Sequence, residues 1–162
     1  MVIAKKLLET IYKGETAIAV LAFTGIALLL LADVLLREFA GTSISGAQRT
    51  SVYAMICTGF LGLSIAAARG RHLRPTFADG LIPKSFQIAA SRIGTLIMAI
   101  TFLIFGGVAT GFVIETHEYG DLARVIRIPL WYIQLIVPYA FFSTGLRYAL
   151  HFLYPQLKPD EE

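Results

Sequence analysis

The chain has 162 residues, of which 56% are hydrophobic and 15% charged, with a mean hydropathy of +0.69 and a net charge of +3. A water-soluble domain carries about 25% charged residues, so this composition excludes an ordinary soluble globular protein. The single cysteine, Cys57, excludes an internal disulfide, a C-x-x-C redox pair and a cysteine-based metal cage.

Four apolar runs fill most of the sequence: 17–36, 51–68, 93–114 and 128–146, of 20, 18, 22 and 19 residues. A helix needs roughly 20 residues to cross the hydrocarbon of a bilayer. Lipid offers no hydrogen bonds to a backbone, so each run is expected to be a helix. The fold class expected is an all-α integral membrane protein of four transmembrane helices, forming one membrane domain over 1–162. The first run is longer than the apolar core of a signal peptide and no A-x-A-like site closely follows it, so it is read as retained.

Ahead of the first run, Ile3, Leu7, Leu8 and Ile11 fall at helical spacing opposite Lys5, Lys6, Glu9 and Lys13. The pattern predicts an amphipathic extension of the first helix lying against anionic headgroups. The run ends with Asp33 and Arg37, spaced i and i+4, which share a helix face and can pair. Such a pair at a boundary is first an interfacial anchor, and second a contact for another membrane subunit. Gly41, Thr42, Ser43, Ser45 and Gly46 then predict a short turn.

The second run carries Thr58, Gly62 and Ala66 at intervals of four, and the third carries Gly107-x-x-x-Gly111. Small residues at this spacing let helix backbones approach closely in lipid. Packing within the chain is one reading, and a face for a foreign helix is the other. Between the two runs lies the basic stretch Arg69-Gly70-Arg71-His72-Leu73-Arg74, and Arg92 opens the third run. In the fourth run Pro129 suits a first helical turn, and Trp131 and Tyr132 suit an interfacial belt. Pro138 should free the carbonyl of Gln134 and kink the helix, and the Gln134 side chain is expected to hydrogen-bond across helices.

Charge sets the expected orientation. Lys5, Lys6, Lys13, Arg69, Arg71, Arg74, Lys84, Arg92, Arg147 and Lys158 fall on one side, and Arg37, Arg49, Arg124 and Arg127 on the other. The positive-inside rule places the first side, with both termini, in the cytoplasm. This excess accounts for the net charge without a nucleic-acid partner. No acidic residue lies at the centre of a run, where a small proton-coupled exporter would carry one. His72, His117 and His151 are expected in loops or past helix ends, which speaks against haem ligation. No H-E-x-x-H, phosphate loop or nucleophile–histidine–acid set is present, so no enzyme is expected.

The order of these motifs resembles the small permease subunits of TRAP (tripartite ATP-independent periplasmic) transporters. The similarity lies in Phe60-Leu61-Gly62 followed by the Arg69–Arg74 stretch, in Asp33 with Arg37, and in Arg127-Ile128-Pro129-Leu130-Trp131 followed by Pro138 and Arg147. Gln48 and Arg49 stand where members often carry an acidic pair, Cys57 stands near a usual tryptophan, and Pro75 replaces an aliphatic residue. The resemblance implies a multi-pass subunit of the bacterial inner membrane. Its partners would be a large multi-helix permease subunit, a periplasmic substrate-binding protein and membrane lipids. The small subunit would brace the large one during ion-coupled uptake of an organic acid. Substrate and coupling sodium would sit in the large subunit, leaving this chain with no cofactor, metal or catalytic residue. Under that reading Asp33, Arg37, Gly62, Gly107 and Gly111 meet the partner, while Arg69, His72, Arg74 and Arg92 hold the cytoplasmic edge against headgroups or partner. The alternative is a small autonomous multidrug-type transporter acting as a homo-oligomer.

Overall fold

The computed structural model describes residues 2–69, 87–123 and 126–155. The order of elements is α1 (Val2–Ala40), α2 (Ala47–Ala68), α3 (Gln87–Tyr119), α4 (Leu130–Gln134) and α5 (Ile136–Leu153). The first three each contain a stretch long and apolar enough to cross a membrane. The fourth run supplies the broken pair α4 and α5. The chain is thus an all-helical membrane-spanning protein, as its runs predict.

The apolar runs mark the parts of the helices that suit lipid, but the helices extend past them, so that His117 and His151, expected past helix ends, lie within α3 and α5. With 39 residues α1 is about 58 Å long, nearly twice the roughly 30 Å of bilayer hydrocarbon. Its amphipathic beginning and its apolar run are one continuous helix. Gly41, at φ +64°, turns the chain out of α1, and Gly46, at φ +86°, leads it into α2. Glycine tolerates both values because it has no Cβ.

The fourth run breaks where proline chemistry requires. Pro138 has no N–H to donate to the Gln134 carbonyl one turn earlier, and the helix is interrupted at Leu135, between Gln134 and Ile136. Pro129 takes the position before the first residue of α4, one place earlier than a first-turn proline. The expected use of Gln134 needs correction. Its Oε1 is buried and finds no hydrogen-bond partner among the described residues.

The helices pack as a row rather than a ring. α1 lies against α2, α2 against α5, and α5 against α3, with no comparable packing joining α1 to α3 among the described residues. The core sits among α2, α5 and α3, where Ala67, Ala99, Phe102 and Tyr148 are buried together. The Phe102 and Tyr148 rings stack at 5.7 Å, and Phe141 meets Phe60 edge-on at 5.7 Å. Ala99, Phe102, Gly106, Val113 and Thr116 of α3 recur at intervals that keep one face turned inward.

Close approach of α3 and α5 rests on Gly106 and Gly145. A Cβ at Gly106 would lie 2.8 Å from the Phe142 ring, and one at Gly145 would lie 3.0 Å from the Leu103 side chain. Gly62, Gly107 and Gly111 are exposed, and a Cβ on any of them would meet nothing within 4 Å. Of the two readings of the small-residue stripes, packing within the chain therefore fails for these three glycines. One residue along α3 is a rotation of about 100°, enough to turn Gly107 from the seam to the surface.

Candidate functional site

The outermost helix of the row is held by acids. Among the described side chains of α1, Glu15 and Asp33 are the buried ones, at 2% and 3% exposure. They are 18 residues apart, five turns at about 3.6 residues per turn, so they share one face. Between them Ala19, Ala22, Ile26 and Leu29 continue the same stripe, alternating steps of four and three, and are half-buried. This is the spacing of a helix seam, here with a carboxylate at each end. The separation, about 27 Å, approaches the thickness of the hydrocarbon. The apolar remainder of α1 faces outward, with Leu21, Phe23 and Phe39 at 73%, 68% and 85% exposure. That inverts the logic of a soluble helix. Lipid gives no hydrophobic drive for helices to associate, so polar contacts and close packing carry the attachment.

At the inner clasp, Arg147 of α5 donates from Nη2 to Oε2 of Glu15 at 2.5 Å. Oε1 accepts from Ser143 of α5 at 2.6 Å, Ser64 of α2 at 2.8 Å and Tyr139 of α5 at 3.3 Å. The two serine oxygens stand 2.9 Å apart. Three helices thus converge on one carboxylate. Four donors match the roughly four acceptor sites of an ionised carboxylate, and the guanidinium balances its charge. The ion-pair side chains are 3% and 1% exposed. Ser64 lies about 6 Å before the end of α2 and Arg147 about 9 Å before the end of α5. One turn earlier on α1, Tyr12 accepts a 2.9 Å hydrogen bond from Nε of Arg69, whose guanidinium lies 5.8 Å from the ring centre.

At the outer clasp, Arg37 donates from Nη2 to Oδ2 of Asp33 at 2.6 Å, and the Ile44 amide donates to Oδ1 at 2.7 Å. The carboxylate ties the turn between α1 and α2 back onto α1. The Arg37 side chain is 56% exposed, so this pair faces water or headgroups on one side.

The inner clasp is absent from the sequence reading. Glu15 falls there between the amphipathic extension and the first run, and Arg147 is counted among the basic residues of the cytoplasmic tail. The structure moves Arg147 into α5, buried and paired, so its charge belongs to Glu15 and not to the headgroups. A signal was present: a lone arginine in an apolar helix, with Ser143 one turn before it, requires an acid somewhere on a neighbouring helix. Arg69 and Arg92 are exposed at the ends of α2 and α3 that belong to the expected cytoplasmic edge. His72 and Arg74 lie outside the described residues.

This geometry suits a membrane scaffold. Each oxygen of the buried acid accepts at least one hydrogen bond from a neighbouring helix, so the carboxylate fastens α1 to α2 and α5. The class defined is a multi-pass membrane protein whose ionic groups fasten its own helices. Residues 26–156 match the family described as "Tripartite ATP-independent periplasmic transporters, DctQ component", and the chain belongs to that family. It is a small membrane subunit of a TRAP transporter, not an enzyme. It is similar to the ectoine TRAP transporter small permease protein TeaB of Halomonas elongata, at 24% identity over 138 residues, covering 85% of this chain and 72% of that protein. Asp33, Ser64, Ser143 and Arg147 fall inside the family match, whereas Glu15 precedes it.

Proposed function

We propose that this chain braces the large permease subunit of its transporter while that subunit carries an organic acid across the bacterial inner membrane. A periplasmic binding protein delivers the acid, and substrate and coupling sodium occupy the large subunit. Both termini lie in the cytoplasm, the side favoured by the basic residues. Gly62, Gly107, Gly111 and the Asp33–Arg37 end meet the large subunit. Arg69, His72, Arg74 and Arg92 hold the cytoplasmic edge.

The observation that supports this reading best is the open surface at the three glycines. They lie on α2 and α3 where, among the described residues, nothing comes within 4 Å of an added Cβ, and small residues admit a foreign backbone closely. A row of helices clasped from within keeps its shape while a partner moves beside it. The test is co-purification of this chain with the large subunit from native membranes, with uptake measured in parallel. Gly107→Leu and Arg37→Ala should each lower recovery of the large subunit and slow uptake. If both variants left complex formation and uptake unchanged, the interface assignment would fail. Recovery of this chain as a homo-oligomer alone would favour the autonomous transporter instead.

A further inference from the structure

The break before Pro138 has a second consequence. A groove of about 520 Å³ opens between the later half of α3 and the α4–α5 junction, walled by Val113, Ile114, Leu135, Pro138 and Phe142. Its lower end is closed where the Phe142 ring presses on Gly106. At its upper end His117 meets Trp131 edge-on at 5.2 Å, and Trp131 stacks on Tyr132 at 3.8 Å. Aromatic side chains of this kind sit at headgroup level, so the groove runs inward from the interface, beside hydrocarbon.

We propose that this groove holds an acyl chain of a bilayer phospholipid as a resident part of the folded subunit. Two arguments select that occupant. The first is chemical. Two hydroxyls on the lining, of Thr110 and Tyr139, are already committed, Thr110 to the Gly106 carbonyl at 2.8 Å and Tyr139 to Glu15 at 3.3 Å. Below His117 and Trp131 at the mouth, a polar ligand would therefore meet no uncommitted donor in an apolar slot, whereas hydrocarbon loses nothing. The second is positional. The lining runs from Thr110 to His117 on α3, a rise of about 10 Å, inward from the aromatic mouth into the hydrocarbon, where acyl chains are the surrounding solvent. Left empty, its walls would forfeit dispersion contacts. The inference rests on the chain spanning a membrane and is independent of the partner assignment.

Trp131 is the only tryptophan in the sequence, which makes it a reporter at the mouth. The full chain would be placed in nanodiscs of phosphatidylcholine brominated at mid-chain, and Trp131 fluorescence compared with that in unbrominated nanodiscs. Thr110→Leu and Leu135→Phe fill the groove from opposite walls, and Val108→Phe enlarges a side chain on the open face of α3, where Val108 is 69% exposed. Both filling variants, with wild-type helicity by circular dichroism, should at least double the residual Trp131 fluorescence in brominated lipid. Val108→Phe should leave it unchanged. Native mass spectrometry of the detergent-purified chain should show one retained phospholipid, reduced at least fivefold in either filling variant. Equal quenching in all four proteins, or the same lipid distribution in all four, would overturn the proposal. Loss of the retained lipid when the large subunit is co-purified would give the groove to the partner's side chains and overturn it equally.

Discussion

The two clasps of α1 use the same residue class on the same helix face, yet they do different work. The outer one is local. Asp33 meets Arg37 one turn away and Ile44 eleven residues on, and it shapes a turn. The inner one is global. Glu15 meets Ser64, Tyr139, Ser143 and Arg147, residues 49 to 132 positions away, and it fixes one end of α1 to the two middle helices of the row. A carboxylate at a membrane boundary is thus neither decoration nor function by default. What decides its role is whether its partners come from its own helix or from others.

The largest effects should come from unbalancing the inner clasp. Arg147→Leu leaves a buried carboxylate without its countercharge, a change that typically costs about 3–5 kcal/mol. For a chain of this size that corresponds to a fall of about 6–20 °C in Tm, readable by a thermal shift in detergent. Next come the glycines. Gly145→Leu forces a side chain against Leu103, including its backbone nitrogen at 3.3 Å, and overpacking of this kind costs about 1–3 kcal/mol or more. Gly107→Leu faces open space and should leave Tm unchanged while reducing recovery of the large subunit. At the outer clasp, Asp33→Ala strands the Ile44 amide and should cost about 1–3 kcal/mol, whereas Arg37→Ala should cost less than about 1 kcal/mol because the pair is half solvated. Ser64→Ala should be smallest among the inner-clasp changes, about 1 kcal/mol, since three donors to Glu15 remain. If Asp33→Ala proved as damaging as Arg147→Leu, the contrast between local and global clasps would collapse.

Much of this architecture is legible in the sequence, for identifiable reasons. Lipid enforces helices over the apolar runs, i and i+4 spacing announces the Asp33–Arg37 pair, and Pro138 announces the break one turn before it. These are local consequences of backbone geometry. The inner clasp is not local. Glu15 and Arg147 are joined only by the packing of α1, α2 and α5, and periodicity within one helix cannot choose its neighbour. The same limit explains the glycines. Gly106 and Gly107 are adjacent and chemically identical, and the rotation of α3 against α5 decides which one is a contact and which one is surface. The 4–3 stripe from Glu15 to Asp33 is the nearest thing to a sequence signal for the attachment of α1, since it shows two acids on one face at the two edges of an apolar run.

The most direct test is a double-mutant cycle on the inner ion pair, with Tm measured for Glu15→Leu, Arg147→Leu and the double variant. Each single change leaves one charge buried and unpaired, and the double change removes both. The expected result is a double variant that melts above the less stable single variant, so that the two losses are far from additive. A double variant whose loss in Tm equals the sum of the two single losses would show that Glu15 and Arg147 act independently, and that the clasp does not hold α1 to the row.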